Sequence, residues 1–337
     1  MVSRRRLTGR IRGTVAILAA VAIVLTSGSS GAEPPPAAAA TVRQVVWLSA
    51  RRVALSVDSP SMGAQVQVQL LLPRDWDSRP AAKFPLLLLL DGTRAADQES
   101  GWTKNAGAEA FYADKNVVVA LPVGGVASYY TDWQQPAGGK TSRWETFLTK
   151  ELPPLLQHDW RTTDARGVAG LSMGGAAAMM LAARTKGFAR YAASFSGLLA
   201  TTTLGMPQAI QLAMRQAGED DTDHMWGPPG DAEWSAHDPY ELAERLKGVS
   251  LYISSGSGFG GARDASSSIP GVSTDWSGAA LEILARFSSQ QFATKLNKLS
   301  IPASVNYRPA GTHSWPYWDF EMRQSWPQAA AALGVEP

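Results

Sequence analysis

The chain has no cysteine. That excludes a disulfide staple and a thiol nucleophile, so burial must stabilise the fold and covalent catalysis must use another group. Histidine is scarce too, with four in 337 residues, which leaves few candidates for a general base. A basic excess is also missing once the start of the chain is set apart. Met1 to Arg12 carries five arginines and no acid, Val15 to Leu25 is unbroken apolar sequence, and the Pro-rich stretch SGSSGAEPPPAAAA follows. This is the order of an export signal with its cleavage region, spanning residues 1–40. The apolar run is short for a bilayer span. SRRRLT also resembles a twin-arginine signal, and both export routes fit the leader. Without residues 1–40 the net charge moves from +2 to −2, so the remainder has no basic excess to attract nucleic acid. Residues 41–337 show no repeat and no second linker, and their length suits one domain with a large core.

What is present is an alternation of buried strands and helices. GAQVQVQLLLP (63–73) alternates like a half-exposed strand, whereas FPLLLLLDG (84–92) and NVVVALPVGG (116–125) are apolar on both faces. GVAGLS, YAASFSG, VSLYISSG and PASVNYRP continue the series, with helical stretches at 142–156 and 279–299 between them. Apolar strands alternating with helices predict an α/β fold whose mostly parallel sheet is covered on both faces. Chemistry in such a sheet sits at the carboxyl ends of the strands.

Ser172 stands at such an end, in GLSMGG, between Gly170 and Gly174. Small neighbours on both sides are what a sharp strand-to-helix turn requires, and G-x-S-x-G is the nucleophile elbow that lifts a serine hydroxyl clear of a sheet. A serine needs a base, and the base needs an orienting acid. Of His158, His224, His237 and His313, only His313 follows the last predicted strand, where the order serine, acid, histidine places the base. The others read as helix-capping or loop residues. Asp264, Asp275 and Glu282 lie between the 249–256 strand and His313. The usual position soon after that strand favours Asp264. The backbone amides of Met173 and Thr93 are the expected oxyanion donors. Acyl transfer through a serine ester requires no metal or organic cofactor.

LLDGTRAADQESGW, LPVGGVASYYTDW, SRWETFLTKELP, VAGLSMGG, AIQLAMRQAGEDDTDHMWGP and GTHSWPYW occur in collinear order between about residues 43 and 326. In these motifs the chain resembles the antigen 85-type mycolyltransferases, in the esterase-D branch of the α/β-hydrolases. The resemblance implies an α/β-hydrolase fold with Ser172 as nucleophile, His313 as base and Glu282, in the L-E pair opening a helix, as the acid in place of Asp264. It also implies that Asp91, Arg94 and Trp315 hold a trehalose acceptor, by sharing sugar hydroxyls and covering the apolar face of a ring. Trp318 reads as core. MPQAIQLAMRQAG (206–218) matches a segment beside the acyl channel, where Ile210, Leu212, Ala213 and Met214 suit lipid. The chain departs from the pattern in QPAGGKTSRW, which is short and lacks the cysteine loop. NYRPA is reduced, and Gly174 and Gly175 stand where several relatives carry alanine.

What the resemblance implies is a secreted serine acyltransferase for the cell envelope, moving mycolyl groups between trehalose monomycolate and trehalose monomycolate or arabinogalactan. A carboxylesterase shares the acyl-enzyme and is the alternative; a non-catalytic wall- or matrix-binding relative is a third reading, which the presence of Ser172, Glu282 and His313 opposes. Fibronectin binding, a property of some relatives, maps to a segment near 108–120 that diverges here.

Overall fold

Every residue of the run Phe84–Leu90 is buried, because its two faces feed two separate cores. Leu86, Leu88 and Leu90 pack into one apolar cluster, while Leu87 and Leu89 pack into another on the opposite face. The next buried run divides the same way, with Val118 and Ala120 on one side and Val119 and Leu121 on the other. Each fully buried leucine contributes about 1.5–3 kcal/mol, so a strand with period-2 burial on both sides belongs in the middle of a covered sheet.

The computed structural model describes residues 39–264 and 276–337; nearly all of the leader, and Asp275, lie outside them. The strands are β1 (Thr41–Trp47), β2 (Arg52–Ser59), β3 (Ala64–Leu71), β4 (Phe84–Leu90), β5 (Val118–Pro122), β6 (Thr162–Leu171), β7 (Tyr191–Phe195), β8 (Ser250–Ser255) and β9 (Ala303–Tyr307). They form one sheet in the order β1-β2-β3-β5-β4-β6-β7-β8-β9. Strands β1 to β3 and the β3–β5 pair are antiparallel, and from β5 to β9 every neighbour is parallel. The expected mostly parallel α/β-hydrolase sheet is therefore present, extended at one side by three antiparallel strands. β1, exposed along nearly its whole length, and β2 were not among the predicted strands.

The helices are α1 (Gly101–Ala106), α2 (Ala108–Tyr112), α3 (Trp144–Thr146), α4 (Leu152–Asp159), α5 (Met173–Arg184), α6 (Met206–Gln216), α7 (Asp223–Trp226), α8 (Ala232–Ala236), α9 (Trp276–Lys298) and α10 (Trp315–Leu333). A π-helical turn, Phe147–Glu151, joins α3 to α4, so the predicted 142–156 helix is continuous but locally underwound. Leu152, Leu155 and Leu156 of α4, Met179 and Leu181 of α5, and Phe292 and Leu296 of α9 cover one face. Trp102 of α1, Tyr112 of α2 and Trp318, Met322 and Trp326 of α10 cover the other. This leaves the carboxyl ends of β4, β6, β7 and β8 as the rim on which loops can build a site.

Candidate active site

The elbow is built by close backbone approach. β6 ends at Leu171, α5 starts at Met173, and Ser172 between them takes φ 52° and ψ −121°. A non-glycine residue with positive φ costs about 1–3 kcal/mol and persists only where its surroundings enforce it. Here the glycines do so. A Cβ on Gly170 would strike the backbone of Gly174, and one on Gly174 would come within 2.5 Å of the carbonyls of Leu90 and Asp91. At the separation this chain adopts between strand and helix, neither position has room for a methyl group. Gly175 is confined as well, its Cβ position lying 2.8 Å from Ser194 Oγ.

The loop after β4 runs alongside. A Cβ on Gly92 would lie 3.5 Å from Ser172 Cβ, which puts the chain leading into Thr93 beside the serine. Met173, the first residue of α5, is one of the helix positions whose amide has no intrahelical carbonyl to bond. Its sulfur accepts the Tyr129 amide at 3.2 Å. That contact belongs to a buried turn after β5 in which Ala127, Tyr129 and Tyr130 all have positive φ. Tyr130 has no sequence feature that marks it, yet its hydroxyl accepts the Asp91 amide at 3.1 Å.

His313 sits in the loop between β9 and α10, and Glu282 lies one turn and a half into α9. Its Nδ1 and Glu282 Oε2 are 2.8 Å apart. A carboxylate can only accept, so Nδ1 donates, and the neutral form of the ring has its lone pair on Nε2. The Glu282 side chain is fully buried; its other oxygen accepts from Ser196 Oγ at 2.9 Å and from the Gly256 amide. The imidazole is held further by its own amide, which donates to Gly278 O at 3.1 Å. Trp318 meets the ring edge-on at 5.0 Å and donates from Nε1 to Ser196 Oγ at 3.2 Å. Trp318 is thus core, as expected, but core that also braces the histidine and the residue behind its acid.

Asp264 does not meet His313. It accepts from Thr312 Oγ1, from Tyr317 OH at 2.8 Å and from the Gly261 amide at 2.7 Å. It therefore pins the residue before His313 rather than the ring, and Glu282 is the acid that the fold pairs with the imidazole. The remaining histidines are engaged elsewhere. His158 pairs with Asp159, His224 Nδ1 lies 2.7 Å from Pro136 O, and buried His237 has Nδ1 2.8 Å from Glu233 O. Burial pushes His237 down to about 4, so it is neutral at ordinary pH.

Asp91 and Trp315 come together through Gly101. A Cβ there would run into the Trp315 ring and lie 3.0 Å from Asp91 Oδ1. Asp91 Oδ2 accepts the Gly101 amide at 3.1 Å, whereas buried Oδ1 has no hydrogen-bond partner among the described residues. Burial pushes this carboxyl up to about 6, opposed by bonds from Ser100, Gly101 and Trp102. Trp315 is half-buried and packs edge-on against Trp102 and Trp318. Arg94 is solvent-exposed on the same loop as Asp91. In α6, Ile210 and Met214 turn into the core, while Leu212 faces outward; amphipathic packing explains the former without a ligand.

Comparison with known proteins gives this geometry a lineage. The Esterase family model matches residues 59–329. The diacylglycerol acyltransferase/mycolyltransferase Ag85A of Mycobacterium leprae is 36% identical over 295 residues, covering 84% of this chain and 84% of that protein. The Mycobacterium tuberculosis (H37Rv) protein of the same name is also 36% identical, with 84% and 82% covered. Among solved structures, Mycobacterium tuberculosis MPT51 superposes with a TM-score of 0.70 at 27% identity, covering 85% of this chain and 99% of that one. An S-formylglutathione hydrolase from Agrobacterium tumefaciens shares the fold, at a TM-score of 0.64 and 15% identity over 87% and 100% of the two chains. With a covered, mostly parallel sheet, an elbow serine and identity of this extent, the chain belongs to the antigen 85-type mycolyltransferases of the Esterase family.

Proposed function

We propose that the chain transfers mycolyl groups from trehalose monomycolate to a second trehalose monomycolate or to arabinogalactan, through an ester on Ser172. The observation that most supports this is the hydrogen bond between His313 Nδ1 and buried Glu282. With Nδ1 held as a donor, Nε2 can take the Ser172 proton as the hydroxyl oxygen attacks the donor's ester carbonyl. Glu282 stabilises the imidazolium that forms. The amides of Met173 and Thr93 receive the negative charge on the carbonyl oxygen, aided by the N-terminus of α5. His313 then gives its proton to the departing trehalose oxygen, leaving the acyl group on Ser172. The acceptor hydroxyl surrenders a proton to His313 and attacks the acyl carbon, and the regenerated serine completes the cycle.

Asp91, Arg94 and Trp315 hold the sugar in this reading. The unpartnered Oδ1 of Asp91 suits a sugar hydroxyl, and the exposed part of Trp315 suits the apolar face of a ring. The outward Leu212 of α6 would meet the acyl chain. The leader directs the protein out of the cytoplasm, where these substrates lie, and no helix among the described residues is long and apolar enough to cross a membrane.

The test is direct. Purified protein given trehalose monomycolate should form the dimycolate and free trehalose, and Ser172→Ala should form neither. Absence of dimycolate with the wild-type protein would overturn the transferase reading. Release of free mycolate alone, whether or not trehalose is added, would favour the esterase instead.

A further inference from the structure

The triad acid is not alone in its burial. Behind Glu282 stands a second fully buried carboxylate, Glu321 on α10, and the two share one cation. Arg308, just past the end of β9 and five residues before His313, bonds Glu321 Oε1 through Nη1 and places Nη2 3.8 Å from Glu282 Oε1. Its side chain is only 11% exposed. Nη2 and Nε have no hydrogen-bond partner among the described residues, and Glu321 is the side chain that orients the guanidinium. Glu321 is itself fixed, accepting from Tyr252 OH at 2.5 Å and from Asn306 Nδ2 at 3.0 Å. The backbone of Arg308 is clamped too: its amide donates to Ser255 O at 3.0 Å, and its carbonyl accepts from Arg286 Nη1 at 3.0 Å.

A carboxylate withdrawn from water needs fixed charge and donors around it, or the ionised form is too costly to keep. Ser196 and Gly256 give Glu282 two donors, and His313 gives it a proton-shuttling imidazole. Arg308 supplies the permanent positive charge. We propose that Arg308 is a positioning residue of the catalytic site: it balances the Glu282 carboxylate and fixes its plane towards His313, while Glu321 is the post that aims it. This rests on the reading that Ser172, His313 and Glu282 form the triad. A guanidinium suits the task because it presents two nitrogens in one plane to two carboxylates at once, which an ammonium does not. The competing role is purely structural, with Arg308 present only to neutralise Glu321.

Three variants separate the two: Glu321→Gln, Arg308→Lys and the double variant R308M/E321Q, which removes the pair's charges together and leaves no orphaned carboxylate at 321. Each is assayed for kcat and KM on p-nitrophenyl butyrate, and for melting temperature. For R308M/E321Q we expect kcat reduced about tenfold or more with KM within about twofold. Arg308→Lys should show the same split, because lysine can neutralise Glu321 without reaching Glu282. Glu321→Gln should lose less than either. Wild-type kcat in R308M/E321Q would overturn the proposal; should that variant not fold, wild-type kcat in Arg308→Lys would do so. Failure of a fluorophosphonate probe to label Ser172 in the wild-type protein would overturn the triad reading instead, and that outcome is seen before any variant is made.

Discussion

Replacing Asp91 by asparagine should make the protein's stability less sensitive to pH. The Asp91 carboxyl is buried, has one unpartnered oxygen, and is pushed from 3.8 up to about 6. A folded-state value above the unfolded one means that the folded protein binds the proton more tightly. The stability this group contributes is therefore fully present below pH 3.8 and is lost as pH rises through about 6. The difference corresponds to about 3 kcal/mol at neutral pH. Asparagine carries no charge and can still accept the Gly101 amide, so Asp91→Asn should gain that amount relative to wild type between pH 4 and pH 7. For a domain of about 300 residues, 3 kcal/mol is a rise of about 5 °C in melting temperature. Urea denaturation and thermal melts of both proteins from pH 4 to pH 8 measure it. A difference between the two that stays flat across this range would refute the claim that Asp91 is held in a desolvated, charge-hostile position. Activity should move the other way, with transfer to trehalose weakened, as expected where stability is sacrificed at a binding site.

Other consequences follow from particular contacts. Gly170→Ala forces a methyl group into the Gly174 backbone and should cost about 3 kcal/mol or more in urea denaturation, with loss of activity in step. Glu282→Gln keeps the shape of the acid but not its charge, and should lower kcat by about two to four orders of magnitude while KM changes little; steady-state kinetics on a soluble ester checks this. Asp264→Asn loosens Thr312 and Tyr317 without touching His313, so its kcat should fall about tenfold or less, far short of Glu282→Gln.

Much of this was legible from the sequence where a residue's role is set by its immediate neighbours. Phe84–Leu90 could be read as a central strand because every position is apolar, and GLSMGG as an elbow because small residues flank the serine on both sides. β6 was read too short: its first half, Thr162–Arg166, is polar and partly exposed, so only its buried end gave a signal. β1 was missed for a related reason, since an edge strand exposed on both faces shows no burial pattern. The acid shows where spacing stops helping. Asp264 follows β8 at the customary distance, yet the loop turns it to Thr312, and α9 returns Glu282 to the ring. Arg308, Glu321 and Tyr130 carried no sequence signal at all, because their partners lie 13 to 69 residues away and only the folded sheet brings them together.

The central claim is that Ser172 carries the acyl group between donor and acceptor. Intact-mass measurement after mixing the protein with trehalose monomycolate, followed by peptide mapping, tests it most directly. The prediction is a single mycolyl adduct on the peptide containing Ser172 that disappears when excess trehalose is added. Dimycolate formed with no adduct on that peptide, or an adduct on another residue, would contradict it.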